Sequence, residues 1–204
     1  MGLIVSEGKT FKPVPAGTHL AICCQIIDLG RQYSKFYDST AHKVLMAWEL
    51  PDEKQEDGKP FMVYSRYTMS LGKNSKLRAA LEAWRGRAFS ADELKGFDLK
   101  NVLGKACMLN VAHRESEGNV YADVAAIMAL PKNTIVPPPV SEQVWFDLSE
   151  WKQDVFDKFS DKLKETINNS EERKPKADDK PKIDPFHKGP ISEIEKDDDI
   201  SVPF

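Results

Sequence analysis

The chain has 204 residues, 41% of them hydrophobic and 30% charged, with a formal net charge of −3. That length holds one domain with a tail or two very small ones, and no apolar run approaches membrane-spanning length. An acidic total argues against a nucleic-acid binder only where the charge is evenly spread.

The N-terminal stretch, Met1 to Phe11, has no long apolar core, so no signal peptide is expected and the protein reads as cytoplasmic. Residues 17–29 are rich in Ile, Leu and Cys and closed by Gly30, which predicts a mostly buried first strand. Cys23 and Cys24 point to opposite faces of that strand and do not share a metal; with Cys107 they are expected as buried, reduced thiols. His42 to Leu50 alternates, with Val44, Met46 and Trp48 on one face and Lys43, Leu45 and Glu49 on the other. An acidic turn ending in Asp57-Gly58 leads to a third strand, Phe61 to Leu71. There Phe61, Val63, Tyr67 and Met69 face opposite to Tyr64, Arg66 and Thr68.

The period then changes. Leu77, Leu81 and Trp84 recur at three to four residues between Ser75 and Gly86, a capped helix. Ser90-Ala91-Asp92-Glu93 reads as an N-cap with its acidic partner, opening a short second helix. Lys105–Ala112 and Val120–Leu130 give two more strands around the Glu117-Gly118-Asn119 turn. Three strands, a helix and two strands is the order of an OB-fold. The expected class is therefore mainly β: a five-stranded OB-fold-like barrel over residues 1–130, with the helix between strands three and four. Another small α+β sheet is the alternative.

Four prolines between 131 and 139 stop that domain, and residues 131–146 read as a Pro-rich linker. Asp147-Leu148-Ser149-Glu150 is a capping box, followed by Trp151, Val155, Phe159, Leu163 and Ile167 at four-residue steps. This predicts one amphipathic helix over 147–168, its stripe buried against the barrel or a second copy of the chain. Residues 169–196 are rich in Lys, Glu, Asp and Pro and are expected to be a disordered linker.

The charge is not evenly spread. Residues 1–140 carry 18 Lys and Arg against 15 Asp and Glu, and residues 141–204 carry 11 against 17. A mildly basic body with an acidic tail binds phosphate while staying acidic overall. Binding single-stranded DNA takes cations along a groove and flat side chains for bases to stack upon. Arg31, Tyr33, Lys35, Phe36 and Tyr37 supply both between strands one and two, where packing on the barrel is the competing reading. Lys43, Tyr64 and Arg66 add to the same candidate surface from strands two and three; Trp48 and Trp84 read as core. Lys73, Lys76, Arg85 and Arg87 give the helix region a positive rim, or simply a solvated face, and Arg114 borders the last hairpin. No phosphate-binding Gly-x-x-x-x-Gly-Lys-Ser/Thr run or Gly-x-Ser-x-Gly elbow occurs, and His19, His42, His113 and His187 lack metal spacing. No catalysis, cofactor or metal is expected.

The last eight residues place Asp197, Asp198 and Asp199 before Ile200, Pro203 and a terminal Phe204. An aromatic residue beside acidic groups suits a peptide that docks on a partner, its ring in a pocket and its carboxylates on Lys or Arg. This tip resembles the acidic C-terminal tip of bacterial and phage single-stranded-DNA-binding proteins, which ends in three Asp, an apolar residue and Pro-Phe. The match is Asp197 to Ile200, then Pro203-Phe204, with Ser201-Val202 inserted between them. The resemblance implies sequence-independent protection of single strands in replication, recombination and repair. It also implies that the tip, through Asp197–Ile200, Pro203 and Phe204, recruits partner enzymes. A recombination mediator or annealing protein, and a protein–protein adaptor without DNA affinity, are the alternatives.

Overall fold

β1 (Gly17–Ser34) is 18 residues long and buried on both faces from Ala21 to Gly30, apart from the half-buried Gln25 and Asp28. Register shifts between Cys23 and Gln25 and between Asp28 and Gly30 bend it, so one strand serves two parts of the sheet. Gly30, at φ +69°, supplies a backbone conformation that other residues adopt only under strain. The structure is a computed structural model that describes residues 12–116 and 118–174.

The first third of β1 pairs antiparallel with β4 (Ala106–Ser116), and the rest pairs with β2 (Ser39–Lys54). β3 (Pro60–Thr68) extends the sheet beyond β2, and β5 (Asn119–Met128) extends it beyond β4. The strand order is β3-β2-β1-β4-β5, with β6 (Val144–Phe146) added parallel to Gln25–Ile27 of β1. The fold is thus mainly β, with six strands that are antiparallel except for the β1–β6 pair.

α1 (Lys76–Arg85) starts on Ser75, whose hydroxyl accepts the Arg78 N–H, and ends on Gly86 at φ +66°. Leu77, Leu81 and Trp84 face the inner side of the sheet, where Trp84 meets the fully buried Trp48 at 6.0 Å between ring centroids. This inner core continues through Cys23, Ile26, Val44, Met46, Phe61, Val63, Cys107 and Leu109. Of the inward residues expected on the third strand, Met69 lies past the strand end and is exposed.

Two expectations are corrected here. The five strands do not close into a barrel: no ladder joins β3 to β5 among the described residues, although their Cα atoms approach within 8 Å. α1 lies along that seam, with Ala79, Ala80 and Ala83 lining a gap shared with Ala125 and Ala126 of β5. The helix expected from Ser90 is only a 3-10 turn, Glu93–Lys95, although its capping box forms in both directions. The Glu93 N–H donates to Ser90 Oγ at 3.2 Å, and the Ser90 N–H donates to Glu93 Oε2 at 2.9 Å.

The single helix expected over 147–168 is instead a 3-10 turn (Leu148–Glu150), α2 (Gln153–Asp157) and α3 (Asp161–Asn168). A strict four-residue repeat drifts about 40° per step around a 3.6-residue helix. A straight rod would therefore spiral its five apolar residues away from any one surface. Breaking the rod turns Trp151, Val155, Phe159, Leu163 and Ile167 onto one outer core with Phe146, Phe156, Ile27, Leu29 and Leu45. Each large side chain buried there stabilises by about 1.5–3 kcal/mol. The stripe thus packs on the chain's own sheet, and it buries the second face of β1 and β2.

The start of this layer is fixed by Glu49, which is fully buried on the β2 face opposite Trp48. Its two carboxylate oxygens accept the Val140 N–H at 2.8 Å and the Ser141 N–H at 2.7 Å. The expected linker therefore becomes a docked strap from Val140 onward. Residues 169–174, expected to be disordered, also dock: Ser170 is fully buried beside Gly30.

Candidate nucleic-acid interface

The segment expected as a loop after the first strand is the end of a β-hairpin. Arg31–Ser34 belong to β1, Tyr33 pairs with Thr40, and only Lys35–Asp38 form the turn. Phe36 and Tyr37 are 87% and 75% exposed and meet edge to face at 4.8 Å. Tyr33 hydroxyl donates to Asp38 Oδ1 at 2.7 Å, a bond that raises the phenol pKa and ties this ring to the turn.

Arg31 is committed elsewhere. Its Nε donates to Glu171 Oε2 at 3.0 Å, and its backbone N–H donates to Glu172 Oε2 at 2.8 Å. Thr40 hydroxyl donates to the other Glu171 oxygen at 2.8 Å, and that bond, followed by Arg31, holds the Glu171 carboxyl below its usual pKa.

Beside the hairpin lies a groove of about 670 Å³ between the end of β3 and the start of α1. Tyr37, Lys43, Arg66, Lys73 and Lys76 line it, together with Thr68, Ser70 and Asn74. The β2–β3 register explains the grouping: Lys43 lies opposite Thr68, and its Nζ donates to Thr68 Oγ1 at 2.6 Å. Arg66 and Tyr64 follow at two-residue steps on the same outer face, both exposed. None of the four cations has an ion-pair partner among the described residues, and no carboxylate lines the groove. Lys35, in the hairpin turn, is likewise exposed and unpaired there.

Three other candidates sit apart from this groove. Arg85 and Arg87 are at the far end of α1, about 15 Å along the helix from Lys76. The Arg85 guanidinium lies over the Phe89 ring at 4.5 Å and the Phe97 ring at 5.2 Å, and pairs with Glu93. Arg87 forks onto both oxygens of the same carboxylate at 2.8 and 2.9 Å. The Arg87 fork and then the Ser90 N–H pull the Glu93 pKa down to about 2. Arg114 pairs with Asp123 at 2.7 Å and lies over the Tyr121 ring. Asp197, Asp198, Asp199, Ile200, Pro203 and Phe204 lie outside the described residues.

The groove also contains small polar residues to which the sequence assigns no role. Thr68 closes β3, and Ser70 and Asn74 follow it in the short polar run before α1. Among the described residues no helix is long and apolar enough to cross a membrane, and no group of three His, Cys, Asp or Glu is placed to hold a metal. No protein-family model matches the chain, and no curated protein matches it.

Proposed function

We propose that this protein binds single-stranded DNA without sequence preference, along the exposed outer face of β3 and the start of β2 at Lys43, and presents it to replication and recombination enzymes recruited by residues 197–204. The observation that carries the reading is the groove itself. Among the described residues Lys43, Arg66, Lys73 and Lys76 stand unpaired beside Tyr37 with no carboxylate lining the groove, in a chain whose net charge is −3. Unpaired cations attract phosphates, and the exposed rings of Tyr37, Phe36 and Tyr64 offer faces for bases. The sheet supports the reading as an opened OB-like barrel, its β3 and β5 edges drawn near each other across α1. The likeness to bacterial and phage single-stranded-DNA-binding proteins then extends from tip to body, and the protein acts in the cytoplasm without a cofactor.

Fluorescence titration with oligo-dT tests this. Affinity falls by about tenfold or more between roughly 50 and 200 mM salt as several phosphates are released. Duplex of equal length binds far less well. Equal affinity for both forms would overturn the proposal, and faster-than-spontaneous annealing of complementary strands would redirect it to an annealing protein.

A further inference from the structure

A second cavity lies on the same outer face as Tyr64, where the docked C-terminal layer overhangs β3. It measures about 510 Å³, a size that accommodates a small organic ligand. Met62 and Tyr64 of β3 form one wall, and Val144, Val155 and Phe159 of the overhanging layer contribute the other apolar surfaces. Lys152 and Lys158 stand at the lining, the latter 3.6 Å from Glu142 with both side chains largely exposed. Gln25 and Gln143 add amide groups that donate and accept hydrogen bonds. The Trp145 ring turns away from the cavity onto the inner core, under Lys100 Nζ at 4.9 Å.

From this combination we infer that the cavity is a nucleobase pocket, which takes one unpaired base of a bound strand while Lys152 and Lys158 meet its flanking phosphates. The inference rests on the proposed DNA-binding reading and deepens it. Three observations favour a nucleotide over an apolar ligand. The cavity mixes aromatic and aliphatic walls with amides, as a flat polar heterocycle requires. Two lysines outnumber the one carboxylate in its lining. Tyr64 also belongs both to this cavity and to the outer row that leads through Arg66 to the basic groove. A strand following that row enters the cavity without crossing an acidic barrier on β3. The C-terminal layer is then part of the binding surface as well as a cover for the sheet.

The test uses the full chain and an oligo-dT in which 5-iododeoxyuridine replaces single thymidines. Photo-crosslinks mapped by peptide mass spectrometry should fall on Tyr64 or Phe159 in addition to the hairpin. The variant Lys152→Glu/Lys158→Glu changes exposed side chains outside both cores, so its thermal stability serves as the folding control. It should bind about tenfold less tightly at low salt, with a salt slope shallower by about 1–2. Crosslinks confined to the hairpin and groove, with the double variant at full affinity, would overturn the pocket and leave the DNA-binding reading standing. A wild-type chain that binds no oligo-dT would overturn both.

Discussion

Arg31 and Glu171 hold each other twice: Nε donates to the carboxylate at 3.0 Å, and the Arg31 carbonyl accepts the Glu171 N–H at 3.0 Å. The first bond needs the glutamate side chain and the second needs only backbone. Glu171→Ala should therefore free the guanidinium beside the exposed aromatics while the segment stays docked. Oligo-dT affinity at low salt should rise about two- to fivefold, with a slope steeper by up to one phosphate. An unchanged slope would mean that Arg31 does not face the strand.

Arg66→Ala and Lys73→Ala should each weaken oligo-dT binding about three- to tenfold and reduce the salt slope by about 1, with melting temperature unchanged. Arg85→Ala should do the reverse. It removes a guanidinium packed on Phe89 and Phe97, so it should cost about 1–3 kcal/mol of stability and leave the slope alone. Denaturant unfolding and titration on the same three variants separate the two roles.

The hairpin rings divide in the same way. Phe36→Ala and Tyr37→Ala should each cost about 1–3 kcal/mol of binding if a base stacks there, without loss of stability, since neither ring fills a core. Normal binding by both variants would remove the hairpin from the interface.

The sequence showed its structure best where local chemistry and tertiary need agreed. Ser75, the Leu77-Leu81-Trp84 spacing and Gly86 predict α1 because cap, stripe and stop are all local signals. The strand–helix order and the inward faces of β2 and β3 were legible for the same reason, since Val44, Met46 and Trp48 alternate with their neighbours. The outer core was not. Its stripe looks like one helix, and only the rings packed around Phe146 reveal why the rod must break. Among candidate site residues, charge alone did not separate Arg66 from Arg85. The difference lies in Glu93, Phe89 and Phe97, which the fold brings to one arginine and keeps from the other.

Glu49 gave no signal in the sequence, standing as the polar member of an alternating strand. Glu49→Ala should leave the Val140 and Ser141 N–H groups without their acceptors and cost about 2–4 kcal/mol. Limited proteolysis should then cut within residues 131–143 faster than in wild type. Resistance equal to wild type would show that β6 alone secures the strap.

The Glu93 cluster makes a pH prediction. Its folded pKa of about 2 lies below the ordinary 4.5, so its contribution is complete above about 4.5 and is lost as pH falls through about 2. The melting temperature of wild type should exceed that of Glu93→Gln near neutral pH, and the gap should narrow in acid and close near pH 2. A gap independent of pH would assign the effect to shape instead of charge.

The outer layer also decides where the protein can be cut. A fragment ending at residue 130 keeps β1 to β5 but loses β6, and it would strip the cover from Ile27, Leu29 and Leu45 and expose one continuous oily flank. Such flanks make isolated pieces stick to one another. The shortest fragment that behaves as an independent, handleable protein therefore reaches about residue 174, and crystallisation or NMR work designed around the sheet alone would begin from an insoluble half.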